Sequence, residues 1–154
     1  MDGALGSELI KRGLTLPEHI WSAEANIKYP DMVQQIHQEY INAGADYITA
    51  NTFRTTARAY QKVEFKDRHE GNCEIKAETS LNKAVELAKK ASNDSVLIIG
   101  SIAPLEDCYM PKLFPGKDVA LSEFFKQGEL LSKAGINILL LETMNSISET
   151  EAGL

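Results

Sequence analysis

Two kinds of apolar pattern alternate along this chain: stretches with helical spacing and short unbroken runs. Met32, Val33, Ile36, Tyr40 and Ile41 recur at helical intervals between Pro30 and Gly44. Pro30 suits a first helical turn, Asp31 suits its positive end, and Gly44 stops the helix. Ile75, Leu81, Ala84, Val85 and Ala88 predict a second helix from Cys73 to Ala91, broken by Ser92, Asn93 and Asp94. Phe124, Phe125, Leu131 and Ala134 predict a third from Ser122 to Ala134, stopped by Gly135. Strands are predicted over 46–50, 96–99 and 136–141, the last being the most apolar, and Ser148 is predicted to cap a final helix. The polar stretch from Asn51 to Gly71, with Arg54, Arg58, Lys62, Asp67, Arg68 and His69, reads as a long loop with short helical pieces. Pro104 to Gly116 reads as a loop at the same end of the sheet as Asn51.

Strands buried on both faces and separated by helices make a parallel sheet, so the class is α/β. Periodicity does not separate an open sheet from a closed barrel. The repeat units found amount to roughly half of an eight-fold barrel of about 250 residues. One phrase recurs: Ala43-Gly44-Ala45-Asp46 leads through a strand to Asn51-Thr52, and Ala134-Gly135-Ile136-Asn137 leads through another to Glu142-Thr143. In βα-repeat enzymes the carboxyl ends of the strands face the active site, so Asn51 and Glu142 stand where substrate is met.

With 154 residues, 44% hydrophobic and 25% charged, the chain is long enough for one domain with its own core. A net charge of -6, without a dense basic run, argues against a nucleic-acid partner. No segment approaches the roughly 20 apolar residues that span a bilayer, and the start lacks an apolar leader, which predicts a cytoplasmic protein without a membrane partner. Cys73 and Cys108 form neither a C-x-x-C pair nor a disulfide framework, and no metal ligand is assigned among these residues.

Asp2-Gly3-Ala4-Leu5-Gly6-Ser7-Glu8-Leu9, Ile20-Trp21-Ser22-Ala23, Tyr29-Pro30 through His37, Ala43-Gly44-Ala45-Asp46 and Thr49-Ala50-Asn51-Thr52-Phe53 resemble the homocysteine S-methyltransferases. Gly100-Ser101-Ile102-Ala103-Pro104 and Leu141-Glu142-Thr143 continue the resemblance in order. It implies a (β/α)8 barrel of TIM type, with residues 1–154 as the N-terminal half of a homocysteine-binding domain. It also implies methyl transfer from a sulfonium-type donor to the thiol of homocysteine, giving methionine. Trp21-Ser22-Ala23 is most similar to the users of S-methylmethionine and S-adenosylmethionine. The family activates the thiol on zinc, which deprotonates it while keeping it nucleophilic. Its cysteine ligands lie in Gly-x-Asn-Cys and Gly-Gly-Cys-Cys phrases of the second half, and neither occurs here. Asn72-Cys73 echoes the first, but it opens a helix. The family also places an apolar strand before its Asp-Gly, whereas only Met1 precedes Asp2, so the 154-residue chain alone is expected to be inactive.

By resemblance, Asp2 and Gly3 line the homocysteine site, with the Asp2 carboxylate toward the substrate ammonium. Asp2 could instead cap a helix beginning near Ser7. Glu142 follows three leucines and needs a partner, for which the ammonium would serve. Asn51 and Thr52 are turn formers or pocket residues, Ser101 is a further candidate, and Trp21 is core or a cation-π wall for a sulfonium. His37 reads as structural, and Arg54 and Arg58 read as solvated charges. A second reading is a non-catalytic half-barrel whose exposed edges pair with a second copy or with a separately encoded half.

Overall fold

The computed structural model describes residues 1–67 and 72–154. Helices α1 (Leu5–Lys11), α2 (Ala25–Lys28) and α3 (Pro30–Asn42) precede β1 (Tyr47–Ala50). Then come α4 (Ala57–Asp67), α5 (Cys73–Ser92), β2 (Leu97–Ile102), α6 (Lys117–Lys133), β3 (Leu139–Leu141) and α7 (Ile147–Gly153). The strands form a three-stranded parallel sheet in the order β1-β2-β3. The α/β class and the parallel sheet are therefore as the pattern predicts.

Gly44 (φ +94°) and Gly135 (φ +88°) end the helices that precede β1 and β3 in left-handed backbone, the conformation that makes glycine the natural stop. Tyr47 pairs with Leu97 and Ala50 with Gly100, while Gly100 and Ile102 of β2 pair with Leu139 and Leu141. The main core joins Ile48, Ala50 and Ile102 to Leu81, Val85, Phe124 and Leu131 of α5 and α6. A Cβ on Gly100 would stand 3.1 Å from both Ile136 and Leu131, so glycine lets α6 approach the sheet closely. A second cluster, Leu9, Ala25, Val33, Ile36 and Leu87, packs the first three helices onto α5.

Several predicted elements differ in the structure. The helices cover one face of the sheet; on the other, the expected burial holds at Ile99 and Ser101 but not at the strand starts, where Tyr47 and Leu97 are 39% and 53% exposed. β2 runs on through Gly100, Ser101 and Ile102, and β3 pairs only over its last three residues. Residues 57–67, placed in the polar loop, form α4, whose Ala59, Tyr60 and Val63 pack on Ile20 and Ala23. Arg68, His69 and Gly71 of that stretch lie outside the described residues. The third helix starts earlier than predicted, at Lys117, and Phe125 on it is exposed, as is Ile75 on α5. Ser146, not Ser148, caps α7 by accepting from the Glu149 N–H. The partner glutamate of this S-x-x-E box reaches elsewhere: buried Glu149 accepts the Leu105 N–H at 2.8 Å and ties α7 to the loop after β2.

Candidate functional site

Past the carboxyl ends of the strands, Asp2, Gly3, Gly6, Trp21, Thr49, Asn51, Phe53, Ser101 and Glu142 line one cavity of about 380 Å³. The structure thus gathers every candidate from the sequence except Thr52. Asp2 does not cap α1, whose N-cap is Ala4 without a side-chain bond. The Asp2 N–H instead donates to the Tyr47 carbonyl at 2.9 Å, which lays residue 2 alongside β1. Its carboxylate accepts the Thr49 N–H at 2.7 Å and the Thr49 hydroxyl at 3.0 Å. Burial pushes the Asp2 carboxyl above the usual range, and the two Thr49 bonds pull it back only in part. A half-buried carboxylate in that condition favours a cation beside it.

Glu142 stands just past β3, and its N–H donates to the Ile102 carbonyl at 2.9 Å, extending the ladder by one bond. Its half-buried carboxylate accepts the hydroxyl of buried Ser101. Thr143 follows with φ +53°, an unusual value for a β-branched residue, and turns the chain away immediately after the carboxylate. A carboxylate accepts at about four lone-pair sites, so one serine hydroxyl leaves most of its capacity open to a ligand.

Asn51 is different. Its carboxamide donates to the Ser22 carbonyl at 2.8 Å and to Asn26 Oδ1 at 2.7 Å, and it accepts the Ser22 hydroxyl at 2.6 Å. Thr52 is fully buried, its hydroxyl donating to the Ser101 carbonyl at 2.8 Å and accepting the Ser101 N–H at 2.9 Å, a clamp between the ends of β1 and β2. Trp21 is 39% exposed at the cavity wall, with its indole against Gly6.

Arg54 and Arg58 are not simply solvated. Arg54 donates to the Glu106 carbonyl at 2.9 Å. Arg58 reaches Glu106 and Glu123, each at 3.0 Å, and Lys62 also pairs with Glu106. This network fastens the loop after β2 to α4 and α6. His37 is fully buried, as a structural residue would be, and neither ring nitrogen has a hydrogen-bond partner among the described residues. Desolvation lowers its pKa to about 4.

The described residues do not bring together a ligand set for a resident metal. Cys73 is the first residue of α5, after the Asn72 cap, and Cys108 lies in the loop after β2; neither forms a disulfide. Among the described residues no three His, Cys, Asp or Glu side chains converge to hold an ion.

A family model described as homocysteine S-methyltransferase matches residues 1–154. The chain belongs to the homocysteine S-methyltransferase family. It is 28% identical to the homocysteine S-methyltransferase of Escherichia coli (strain K12), over 99% of this chain and 52% of that protein. It is 30% identical to the selenocysteine methyltransferase of Astragalus bisulcatus, over 58% of this chain and 24% of that protein. In three dimensions it resembles the metallated form of the E. coli homocysteine methyltransferase MmuM, with a TM-score of 0.81 and 28% identity. That match covers 99% of this chain and 56% of MmuM. The chain spans about half the length of the full-length relatives it matches.

For this family member the sequence reading missed Thr49, Ser22 as a contact, Asn26 and Ser80. Strand alternation puts Thr49 and Asn51 on one face, which was a usable signal for Thr49. Ser22 and Asn26 are four apart, a spacing that stacks polar groups on one helical face among alanines. Ser80 carried no local signal, because its partners are more than fifty positions away.

Proposed function

We propose that these residues form the homocysteine-binding half of a (β/α)8-barrel homocysteine S-methyltransferase. The observation that carries this reading is the pair of carboxylates, Asp2 and Glu142, on one cavity at the strands' carboxyl ends. They face a substrate that brings a positive charge, and homocysteine brings an ammonium. Asp2, fixed by Thr49, and Glu142, fixed by Ser101, hold that ammonium, while Gly3 lets the backbone come close. In the reaction the homocysteine sulfur forms a bond to the methyl carbon as the donor's S–CH3 bond breaks. The sulfonium leaves as a neutral thioether, the thiol proton departs, and methionine is the product. The half-exposed indole of Trp21 offers a π face to the sulfonium charge, consistent with S-methylmethionine or S-adenosylmethionine as donor.

Zinc, which the family resemblance implies, would supply the thiolate, and its ligands are not brought together by the residues described here. Elemental analysis of the purified chain is therefore expected to find near-zero zinc. A full equivalent would mean that Cys73, Cys108 or a histidine builds a site. Two cysteines that form no disulfide suit the reducing cytoplasm, where we place the protein. No helix of the described residues is long and apolar enough to cross a membrane.

Titration calorimetry with homocysteine tests the carboxylate role. Glu142→Ala is expected to weaken binding by about 1–3 kcal/mol, the scale of a lost charge-assisted hydrogen bond. Unchanged affinity would remove Glu142 from the site. Family membership supports this reading over a non-catalytic half-barrel. Light scattering addresses the latter: a compact monomer counts against self-association through the exposed Tyr47 and Leu97 face.

A further inference from the structure

Asn51 lines the cavity, yet its carboxamide has no donor left to offer. Both N–H groups are engaged, one by the Ser22 carbonyl and one by Asn26 Oδ1, and its oxygen already accepts the Ser22 hydroxyl. Asn26, also fully buried, returns a bond to the Asn51 carbonyl at 3.0 Å and donates to the Ser80 hydroxyl at 3.1 Å. That hydroxyl in turn donates to the Ala23 carbonyl at 2.9 Å. The bonds close on themselves and join three distant parts of the chain: the turn at 21–24, the end of β1, and α5. Buried polar groups so thoroughly paired rigidify what they hold.

What they hold is the segment carrying Trp21. Trp21 has φ +47°, left-handed backbone that is disfavoured for an aromatic residue. Such a conformation persists only when its surroundings over-determine it. On one side the indole Nε1 stands 2.5 Å from where a Cβ on Gly6 would lie, so the ring occupies the space that glycine leaves. On the other side the next residue, Ser22, is pinned through both its hydroxyl and its carbonyl to Asn51.

We infer that Asn26 and Asn51 are positioning residues, a buried carboxamide relay that fixes Trp21 and Ser22 as the rigid wall of the cavity. Neither contacts the substrate through its own amide N–H. The wall's shape, and with it the choice of group accepted beside the carboxylates, is set from behind by Asn26 and Ser80. The ligand consequence rests on the homocysteine reading; the positioning itself does not.

Trp21 is the sole tryptophan, so its emission reports on the wall directly. Emission maximum and acrylamide quenching are measured for the wild-type chain and for Ser22→Ala, Asn26→Ala, Ser80→Ala and Ser80→Thr, with circular dichroism as the check on folding. Val85→Ala, in the main core and outside the relay, serves as a destabilised control. Ser22→Ala, Asn26→Ala and Ser80→Ala should shift Trp21 emission to longer wavelength and raise its quenching. Ser80→Thr, which keeps the hydroxyl, and Val85→Ala should match the wild type. Equal emission in all variants, or an equal shift in Val85→Ala, would overturn the relay as a positioning device. If Asn26→Ala does not fold, Ser22→Ala decides, since it removes one hydroxyl only. Homocysteine titrated into the same proteins separates the two claims. A wild type that does not bind counts against the proposed function, while Trp21 emission still judges the relay. A wild type that binds should lose about tenfold affinity in Ser22→Ala, the equivalent of one hydrogen bond.

Discussion

Asn51 and Glu142 each stand one residue beyond a parallel strand that follows a glycine-stopped helix, yet their side chains have opposite fates. Asn51 is 5% exposed, and both its N–H groups are donated within the protein. Glu142 is half-buried and, among the described residues, its carboxylate is held by the Ser101 hydroxyl. Position at a strand's carboxyl end brings a polar group to the site. Whether it can then bind a ligand depends on how much hydrogen-bonding capacity the fold has already taken. One end of the sheet therefore carries both a structural knot and an open acceptor.

The comparison breaks most visibly through stability. Asn51→Leu removes the knot's central amide and leaves the Ser22 hydroxyl, the Ser22 carbonyl and Asn26 Oδ1 buried without the bonds they made to it. It is expected to cost about 3–4 kcal/mol in urea unfolding, from several lost bonds and unsatisfied groups. Glu142→Gln should unfold at nearly the wild-type urea concentration. A large loss at Glu142 and a small one at Asn51 would reverse their roles.

His37 extends the comparison to a buried polar group with no described partner at all. Its folded pKa of about 4 lies below the ordinary histidine value of 6.5. The folded state therefore binds fewer protons than the unfolded chain between those values. The associated stability is present above the unfolded pKa and is lost as pH falls from about 6.5 toward about 4, by about 3 kcal/mol in total. Unfolding measured across that range should lose this slope in His37→Leu; an unchanged slope would assign it to other groups.

Asp2 sharpens the comparison from the open side. Because burial raises its carboxyl above the usual range, ionised Asp2 costs the empty protein stability as pH rises through the folded pKa. Binding an ammonium needs the ionised form, so homocysteine affinity should climb over the same pH rise. Asp2→Asn should weaken binding by about 1–3 kcal/mol, flatten that pH dependence, and leave the unliganded chain at least as stable at neutral pH. The smallest effect belongs to Thr52→Val, which removes the clamp between β1 and β2 and should cost about 1–2 kcal/mol of stability in urea unfolding.

Much of this architecture was legible from one-dimensional patterns. Gly44 and Gly135 marked helix ends because positive φ is cheap only for glycine, and Pro30 marked a helix start because its missing N–H is not needed there. Segment 57–67 read only as short helical pieces in a loop because its many charges hide an apolar stripe of Ala59, Tyr60 and Val63 that needs Ile20 and Ala23 to make sense. Arg58 read as solvated for the same reason: Glu106 and Glu123 are 48 and 65 positions away. At the site, residue types at strand ends picked out Ser101 and Glu142 and the family resemblance picked out Asp2, but no local rule told the open carboxylate of Glu142 from the locked Asn51 and Thr52.

The sequence by itself determined the α/β alternation, the parallel strands and the gathering of polar residues at their carboxyl ends, since each follows from local spacing and from where polar residues fall along a strand. Only the tertiary structure decided which of those polar groups remain free to bind. That choice depends on partners such as Asn26 and Ser80, which come within hydrogen-bonding distance only once the turn at 21–24, β1 and α5 are packed together.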